Sequence, residues 1–381
     1  MRGRHPFVGR SDVRSLDALP FDEYTLHGRY PGLREFREEL GNTPLVGLPG
    51  PQNAARVFAK CEWTNPTGSI KDRTAYAMVC DMLSAREFEP GKTEFVEYSG
   101  GNLAASLSEL LKRCGIRFTV VLSSSASASL RERLRRDGSE LILVDKERGF
   151  LDVIEEAIKI SRERPHHQLM FQHLSRANVT YHRLVTGPEL LRNLNAVPAA
   201  WVAACGTGGT LVGIMQCLRE FRPGLRTIGV TPAELPYGTY DPPNGCPKLA
   251  GTGGIGYGAR QPIVRAMDHL IERHEPVPYL TALASMKYLE REAGIRTGSS
   301  GGANWLTAYR VAMALPPSEV VATVLPCAGT AEERRLADRE AGSLKVHEYS
   351  SIGVEVTGGN TRTISAALPV RNMSLKRSRR G

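Results

Sequence analysis

The chain has 381 residues, 41% of them hydrophobic and 23% charged, a balance that suits two globular cores with a pocket between them better than one continuous core. The formal net charge is +9, but residues 343–381 hold seven Lys/Arg against two Asp/Glu, so +5 belongs to a tail and +4 to the body, which argues against a nucleic-acid partner. Seven cysteines (Cys61, Cys80, Cys114, Cys205, Cys217, Cys246, Cys327) with no CxxC pair argue against a metal or redox site and for reduced buried thiols, and the lack of any apolar run of signal-peptide or membrane length makes the chain read as cytoplasmic.

In chain order, residues 1–40 are rich in Arg, Pro and acidic groups and are expected to wrap the outside as an N-terminal extension. Apolar β-branched runs follow, alternating with helical patterns: RVFAKCEW, FVEY, FTVVLS, ELILV, AAWVAA, RTIGV and VVATVLP. Such alternation predicts parallel sheet with crossover helices, an α/β fold. Between the strands, Leu103, Leu107, Leu110 and Leu111 fall at helical spacing and predict a helix over 102–114 with one buried face; a second helix is predicted over 281–293. Glycine clusters at 99–101, 206–209, 251–258 and 298–302 mark strand-to-helix turns, the ligand-facing ends of an α/β sheet. Beyond about residue 342 the apolar periodicity fades and a basic, flexible tail is expected over 343–381.

Two stretches carry chemistry. In NPTGSIKDR, Lys71 follows a Thr-Gly pair and opens a predicted helix; a lone lysine is by default a surface residue, but near a helix start its proton is disfavoured and its amine becomes a nucleophile. In CGTGGTLVG, directly after the AAWVAA strand, Gly206, Gly208 and Gly209 let backbone amides approach an anion while Thr207 and Thr210 add hydroxyls. A tight turn explains one or two of those glycines, not three with two threonines. The P-loop lysine and the dinucleotide GxGxxG spacing are both missing. A reactive lysine with a separate phosphate cup points to pyridoxal phosphate, whose aldehyde takes a lysine and whose phosphate takes a cup of donors. Ser99, Gly100, Gly101 and Asn102 precede the leucine-faced helix, where free amides suit an amino-acid carboxylate; by itself an ordinary helix cap explains them equally well.

These motifs, with GNTPLVGL at Gly41 and in the same order up to about Cys327, resemble the fold-type II pyridoxal-phosphate enzymes, in particular the cysteine synthase and cystathionine β-synthase family. The resemblance implies two αβα lobes with mostly parallel twisted sheets and the cofactor in the cleft between them. It implies a larger cofactor-binding lobe from 41–90 and 188–342, and a smaller lobe over 91–187 that binds the substrate carboxylate. It makes Lys71 the imine lysine and 206–210 the phosphate cup. Asn102 would face the cofactor's ring hydroxyl, Ser300 its pyridine nitrogen, Gln172 would help hold the substrate carboxylate, and GIGYG at 254–258 would line the entrance. A serine opposite the ring nitrogen supplies no full charge, which favours prompt expulsion of a β-leaving group. His173 and His182 are given no role, and no metal is expected. Homodimers are common among such enzymes.

The implied activity is β-replacement on an activated L-serine (O-acetyl- or O-phosphoserine) through an aminoacrylate, giving cysteine or another β-substituted amino acid. A β-eliminating lyase of the serine/threonine ammonia-lyase or cysteine desulfhydrase type is the alternative on the same scaffold, and a non-catalytic binding protein the alternative from another class. Relatives with cysteine synthase activity usually carry Thr-Ser-Gly-Asn-Thr where this chain has Ser99 to Leu103, so hydroxyls are missing at Gly100 and Leu103, which argues against sulfide as the second substrate and makes room for a bulkier or a nitrogen nucleophile. Arg260 is expected either to recognise an acidic group at the mouth or to form a surface ion pair. Too few residues follow Cys327 for a regulatory domain, and residues 1–40 hold no cysteine to ligate haem; a stand-alone catalytic core is expected.

Overall fold

The computed structural model describes residues 14–234, 254–256 and 260–340. The expected tail at 343–381 lies outside the described residues, as do positions 1–13 of the extension, Cys246, the 251–253 glycines and positions 257–259 of the entrance segment. The strands are β1 (Leu45–Leu48), β2 (Arg56–Cys61), β3 (Glu94–Tyr98), β4 (Phe118–Ser123), β5 (Glu140–Val144), β6 (His167–Leu169), β7 (Ala200–Ala204), β8 (Arg226–Pro232), β9 (Arg273–Val277) and β10 (Val320–Leu325). The helices are α1 (Glu23–Arg29), α2 (Pro31–Glu39), α3 (Lys71–Ser84), α4 (Asn102–Arg113), α5 (Ala128–Arg136), α6 (Gly149–Glu163), α7 (Arg176–Tyr181), α8 (Gly187–Leu194), α9 (Gly209–Phe221), α10 (Pro262–Met267), α11 (Tyr279–Ala293), α12 (Ser299–Met313) and α13 (Ala331–Glu340).

The strands form a six-stranded sheet, β1-β2-β10-β7-β8-β9, and a four-stranded sheet, β5-β4-β3-β6. Every pairing is parallel except β1 with β2. The central strands read as unbroken apolar runs because helices cover both of their faces: all six residues of β10 (VVATVL) are buried, with Ala322 opposite Phe58 on one side and Trp201 on the other. On the large sheet one face packs α9 and α10 through Leu211, Val212, Ile263 and Val264, and the other packs α11 and α12 through Leu283, Met286, Trp305 and Leu306. The small sheet is covered by α3, α4 and α5 on one face and α6 on the other.

Three features differ from the sequence reading. First, α3, assigned by the 41–90 boundary to the larger lobe, contributes Ala75, Tyr76, Met78 and Val79 to the core under the small sheet; the chain changes core at Lys71, not near residue 90. Second, part of the 1–40 extension is interior, since Leu33 and Phe36 of α2 are fully buried in that same core beside α4. Third, β1, β6 and β9 went unread because each is an edge strand: β6 is three residues long, and β9 (RHEPV) tolerates Pro276 only because an edge leaves ladder positions unpaired.

The loops before α3, α4 and α9 leave the C-terminal ends of β2, β3 and β7, whereas the 298–302 glycine cluster, expected at a strand-to-helix turn, follows α11 and opens α12. At the opposite end of the small sheet, Glu94, Glu140 and His167 cluster, and Arg117 and Arg164 neutralise the two carboxylates. Among the described residues no helix is long and apolar enough to cross a membrane, and all six described cysteines are free thiols.

Candidate active site

The loop before Lys71 is held by its own polar side chains. The Asn65 amide nitrogen donates to Glu62 Oε2 (2.7 Å), Glu62 O (2.9 Å) and Ser69 O (3.2 Å), while its oxygen accepts Gly41 N (3.0 Å). Asp72 accepts the Thr67 amide at 2.9 Å and the Thr67 hydroxyl at 2.5 Å. Ile70 N reaches Pro326 O at 2.8 Å, pinning the loop to the end of β10. Arg73 is fully buried and donates to Glu62 (Nε to Oε2, 2.7 Å) and Glu189 (Nη1 to Oε2, 2.8 Å), and Lys60 Nζ joins Glu189 at 2.6 Å. Two cations thus balance two anions in the interior. The Asp and Arg after the lysine have distinct tasks: Asp72 shapes the loop, and Arg73 ties the first turn of α3 to the turn that follows β2 and to α8.

Lys71 is the first residue of α3 and is half-buried, with protein crowding its amine. Burial pushes its pKa down to about 8, against the pull of the Glu97 carboxylate in the other direction. A fraction of the amine is therefore unprotonated near neutrality, as a nucleophile or base requires.

Glu97, on β3, was absent from the sequence reading. It is fully buried, and burial raises its pKa to about 8 even though the backbone amides of Tyr98, Gln172 and Phe171 donate to it. Gln172 is 6% exposed, its Nε2 donating to Tyr98 O (2.9 Å) and Glu97 Oε1 (3.3 Å). After β3, Ser99, Gly100 and Gly101 lead into α4, whose N-cap position is Gly101 with no capping side chain, so Asn102 is the first helical residue. The amides there are open to an anion. Asn102 hydrogen bonds the Cys327 thiol, and Cys327 bridges to Ser69, which brings Asn102 beside the Lys71 loop. Leu103 is buried in the small-lobe core. Gly100, the other position that lacks a hydroxyl, lies on the exposed part of the loop.

In the 206–210 turn, Gly208 has φ 91°, a left-handed conformation that ends one element and opens α9. At Gly209 a Cβ would lie 2.4 Å from the Asn178 carboxamide, so glycine is needed for close approach. Asn178 Nδ2 donates to Thr207 Oγ1 (3.2 Å), and Thr207 Oγ1 also accepts Gly209 N (3.3 Å). Thr210 Oγ1 lies 3.2 Å from His182 Nε2. His182 opens a π-helical turn (His182–Thr186), and burial drives its pKa well down, with the charges of Arg73 and Lys71 adding to the effect. The ring is neutral, and Thr74 of α3, one turn after Lys71, donates its hydroxyl to Asn178 Oδ1 at 3.1 Å, which ties the cup to the lysine's helix. Ser300, near the start of α12, is reached through a short chain: a Cβ on Gly206 would sit 3.3 Å from Gly254 O, and one on Gly254 would sit 2.2 Å from Ser300 Oγ.

Lys71, Asn102, the 206–210 cup and Ser300 thus converge on one region, joined by shared neighbours. The cradle fits a phosphate: two glycines that exclude Cβ atoms, two hydroxyls and an uncapped 13-residue helix N-terminus. The family model described as "Pyridoxal-phosphate dependent enzyme" matches residues 36–326. The chain belongs to that family. The enzyme is 32% identical to the probable cysteine synthase of Bacillus subtilis over 74% of this chain and 90% of the relative. An O-ureido-L-serine synthase structure superposes with a TM-score of 0.70 at 27% identity, covering 84% of this chain and 96% of the other. The O-acetyl serine sulfhydrylase isoform 3 of Entamoeba histolytica gives 0.71 at 24% identity, covering 81% and 92%, a likeness of fold. The enzyme uses pyridoxal phosphate.

Of the two readings of Arg260 the structure shows the surface pair: Arg260 meets Asp268 (Nη1 to Oδ2, 3.2 Å), and Asp268 also meets His274 Nε2 at 2.8 Å. Asn178, not singled out in the sequence, and His182, given no role there, support the cup. His173, also given no role, stacks on Tyr98 with its Nδ1 2.6 Å from the tyrosine hydroxyl.

Proposed function

We propose that the enzyme catalyses β-replacement on an activated L-serine, O-acetyl- or O-phosphoserine, to give cysteine or another β-substituted amino acid. The observation that carries this reading is the half-buried Lys71 amine, lowered to about 8, beside an uncapped glycine-threonine phosphate cup. Lys71 would hold pyridoxal phosphate, 206–210 its phosphate, and Asn102 and Ser300 its ring. The bound cofactor supplies an electron sink that makes the substrate's α-proton removable and its β-substituent a leaving group. The open amides of 99–102 take the substrate carboxylate. The Lys71 amine would take and return the proton at Cα. Ser300 places an uncharged hydroxyl at the ring, which suits elimination followed by addition over long storage of negative charge. The small side chains at 99–101 leave room for a nucleophile larger than sulfide.

The smaller lobe, built on the four-stranded sheet with α3 in its core, closes on the substrate carboxylate. A homodimer in the cytoplasm is the expected setting, and sedimentation of the purified protein tests the first of these. The activity test is product analysis of the holoenzyme with O-acetyl- and O-phosphoserine, with and without sulfide or an amine nucleophile. A β-substituted amino acid that forms only with the nucleophile supports the proposal; pyruvate in every case identifies an eliminating lyase instead.

A further inference from the structure

The first turn of α12 is poorly equipped to hold itself. It reads Ser299-Ser300-Gly301-Gly302, and its N-cap residue, Gly298, has no side chain to cap with. Glycine is the weakest helix former after proline, so two of them in a first turn favour fraying. The amides of Gly301 and Gly302 both turn back to Gly298 O at 3.0 Å. That of Ser299 has to be met from outside the helix, and Glu333 of α13 meets it: Oε1 accepts Ser299 N at 2.9 Å. The same carboxylate serves its own helix. Glu333 N donates to Thr330 Oγ1 at 3.0 Å and Thr330 N to Glu333 Oε2 at 3.4 Å, the reciprocal pair that closes a helix N-terminus. One anion thus sits between the positive ends of a 15-residue and a 10-residue helix. Two glycines permit the approach: a Cβ on Gly298 would lie 3.0 Å from Glu333 Oε2, and one on Gly329 would lie 2.9 Å from both Gly298 Cα and Thr297 O.

We infer that Glu333 is a positioning residue for the cofactor: by capping α12 at Ser299 N it holds the next residue, Ser300, with its hydroxyl toward the pyridine nitrogen of pyridoxal phosphate. The body of α12 is fixed separately, because Gly302 packs on α11 so closely that a Cβ would lie 2.4 Å from Ala282 O. That contact leaves the first turn free to unwind, and a turn that unwinds at Ser299 carries Ser300 with it. Glu333 acts through the Ser299 backbone, one peptide away from the hydroxyl it places. This role rests on the proposed reading in one respect, that Ser300 faces the ring nitrogen.

The test is equilibrium binding to the full-length protein, freed of cofactor, of pyridoxal phosphate and of its carbocyclic analogue, in which C–H replaces the ring nitrogen. Both ligands carry the aldehyde and the phosphate, so general damage to the site weakens them alike, and neither measurement needs turnover. Glu333→Ala is expected to weaken pyridoxal phosphate about fivefold, the loss of roughly one neutral hydrogen bond, and to leave the analogue within about twofold. Ser300→Ala should show the same selectivity, and the double variant should bind pyridoxal phosphate no worse than Ser300→Ala alone. Equal losses of the two ligands in Glu333→Ala, beside a selective Ser300→Ala, would reduce Glu333 to a structural cap and overturn the proposal. So would additive losses in the double variant. A Ser300→Ala variant without selectivity would overturn it at the other point, by removing Ser300 from the ring nitrogen. Should Glu333→Ala fail to fold, Glu333→Gln, which keeps one acceptor oxygen for two amides, takes its place, and the ratio of the two affinities decides.

Discussion

Arg73→Met removes the guanidinium that neutralises Glu62 and Glu189, and its cost follows from the charges left behind. Arg73 makes five hydrogen bonds, two to Glu62, two to Glu189 and one to Thr43. Without it Lys60 is the one cation remaining in the cluster, facing two carboxylates in a site where no charged side chain is more than 6% exposed. Breaking a buried pair in this way costs about 3–5 kcal/mol. Proton uptake sets a similar scale: neutralising a carboxyl of ordinary pKa at about pH 7 costs roughly 2.7 units at about 1.4 kcal/mol each, or about 3.7 kcal/mol. In that case the variant's folded state holds a proton that its unfolded state lacks, so its stability rises by about 1.4 kcal/mol per unit as pH falls towards the ordinary carboxyl range. The native protein does not share this slope, because Arg73 and Lys60 overcome the upward push of burial and hold Glu189 at about 2. Urea unfolding followed by circular dichroism at about pH 7 and about pH 5.5 should show a gap of about 3–5 kcal/mol that narrows by about 2 kcal/mol at the lower pH. A gap below about 1 kcal/mol, or one equal at both pH values, would refute the charge-balance reasoning.

Gly209→Ala drives a methyl into the Asn178 carboxamide that holds Thr207, and cofactor affinity measured by absorbance titration should fall about tenfold or more; unchanged affinity would remove the cup from the phosphate's binding site. Burial lowers the Lys71 pKa, so its amine loses its proton early as pH rises: reductive methylation of cofactor-free protein at this residue should reach half its maximal rate near pH 8, and a midpoint near about 10.4, the ordinary lysine value, would contradict the site's electrostatics. Arg260→Ala breaks a half-exposed pair with Asp268, so the Michaelis constants for O-acetyl- and O-phosphoserine should change equally and by no more than about twofold; a selective loss with the phosphorylated donor would make Arg260 a recognition residue after all.

What the sequence disclosed was whatever depends on local order along the chain. Lys71, Asn102 and the 206–210 turn stand out because each needs particular residue types at a strand-to-helix junction, and hydrophobic runs such as VVATVL announce a strand buried on both faces. What it hid depends on contacts distant in sequence. Glu97 sits in FVEY as one charged residue in a strand; only the return of Phe171 and Gln172 over it, 75 positions later, makes it a buried anchor. Asn178 and His182 look like ordinary helix residues until α9 packs on them. The glutamate just before the Ser99–Gly101 loop was an available signal, since a carboxylate at the ligand end of a buried parallel strand needs partners. Leu103 carries two signals at once: a substituted position in a motif suggests a lost contact, while its helical spacing with Leu107 and Leu110 points into the core, where it packs. The edge strands and the interior part of the 14–40 segment went unread because edge pairing and docking onto α4 leave little local pattern.

Trapping the cofactor with borohydride, followed by peptide mapping, tests the central claim most directly. The account expects a single pyridoxyl group on the ε-nitrogen of Lys71 and none in the Lys71→Ala protein after the same treatment. A label on any other lysine, or an equal label in Lys71→Ala, would contradict it.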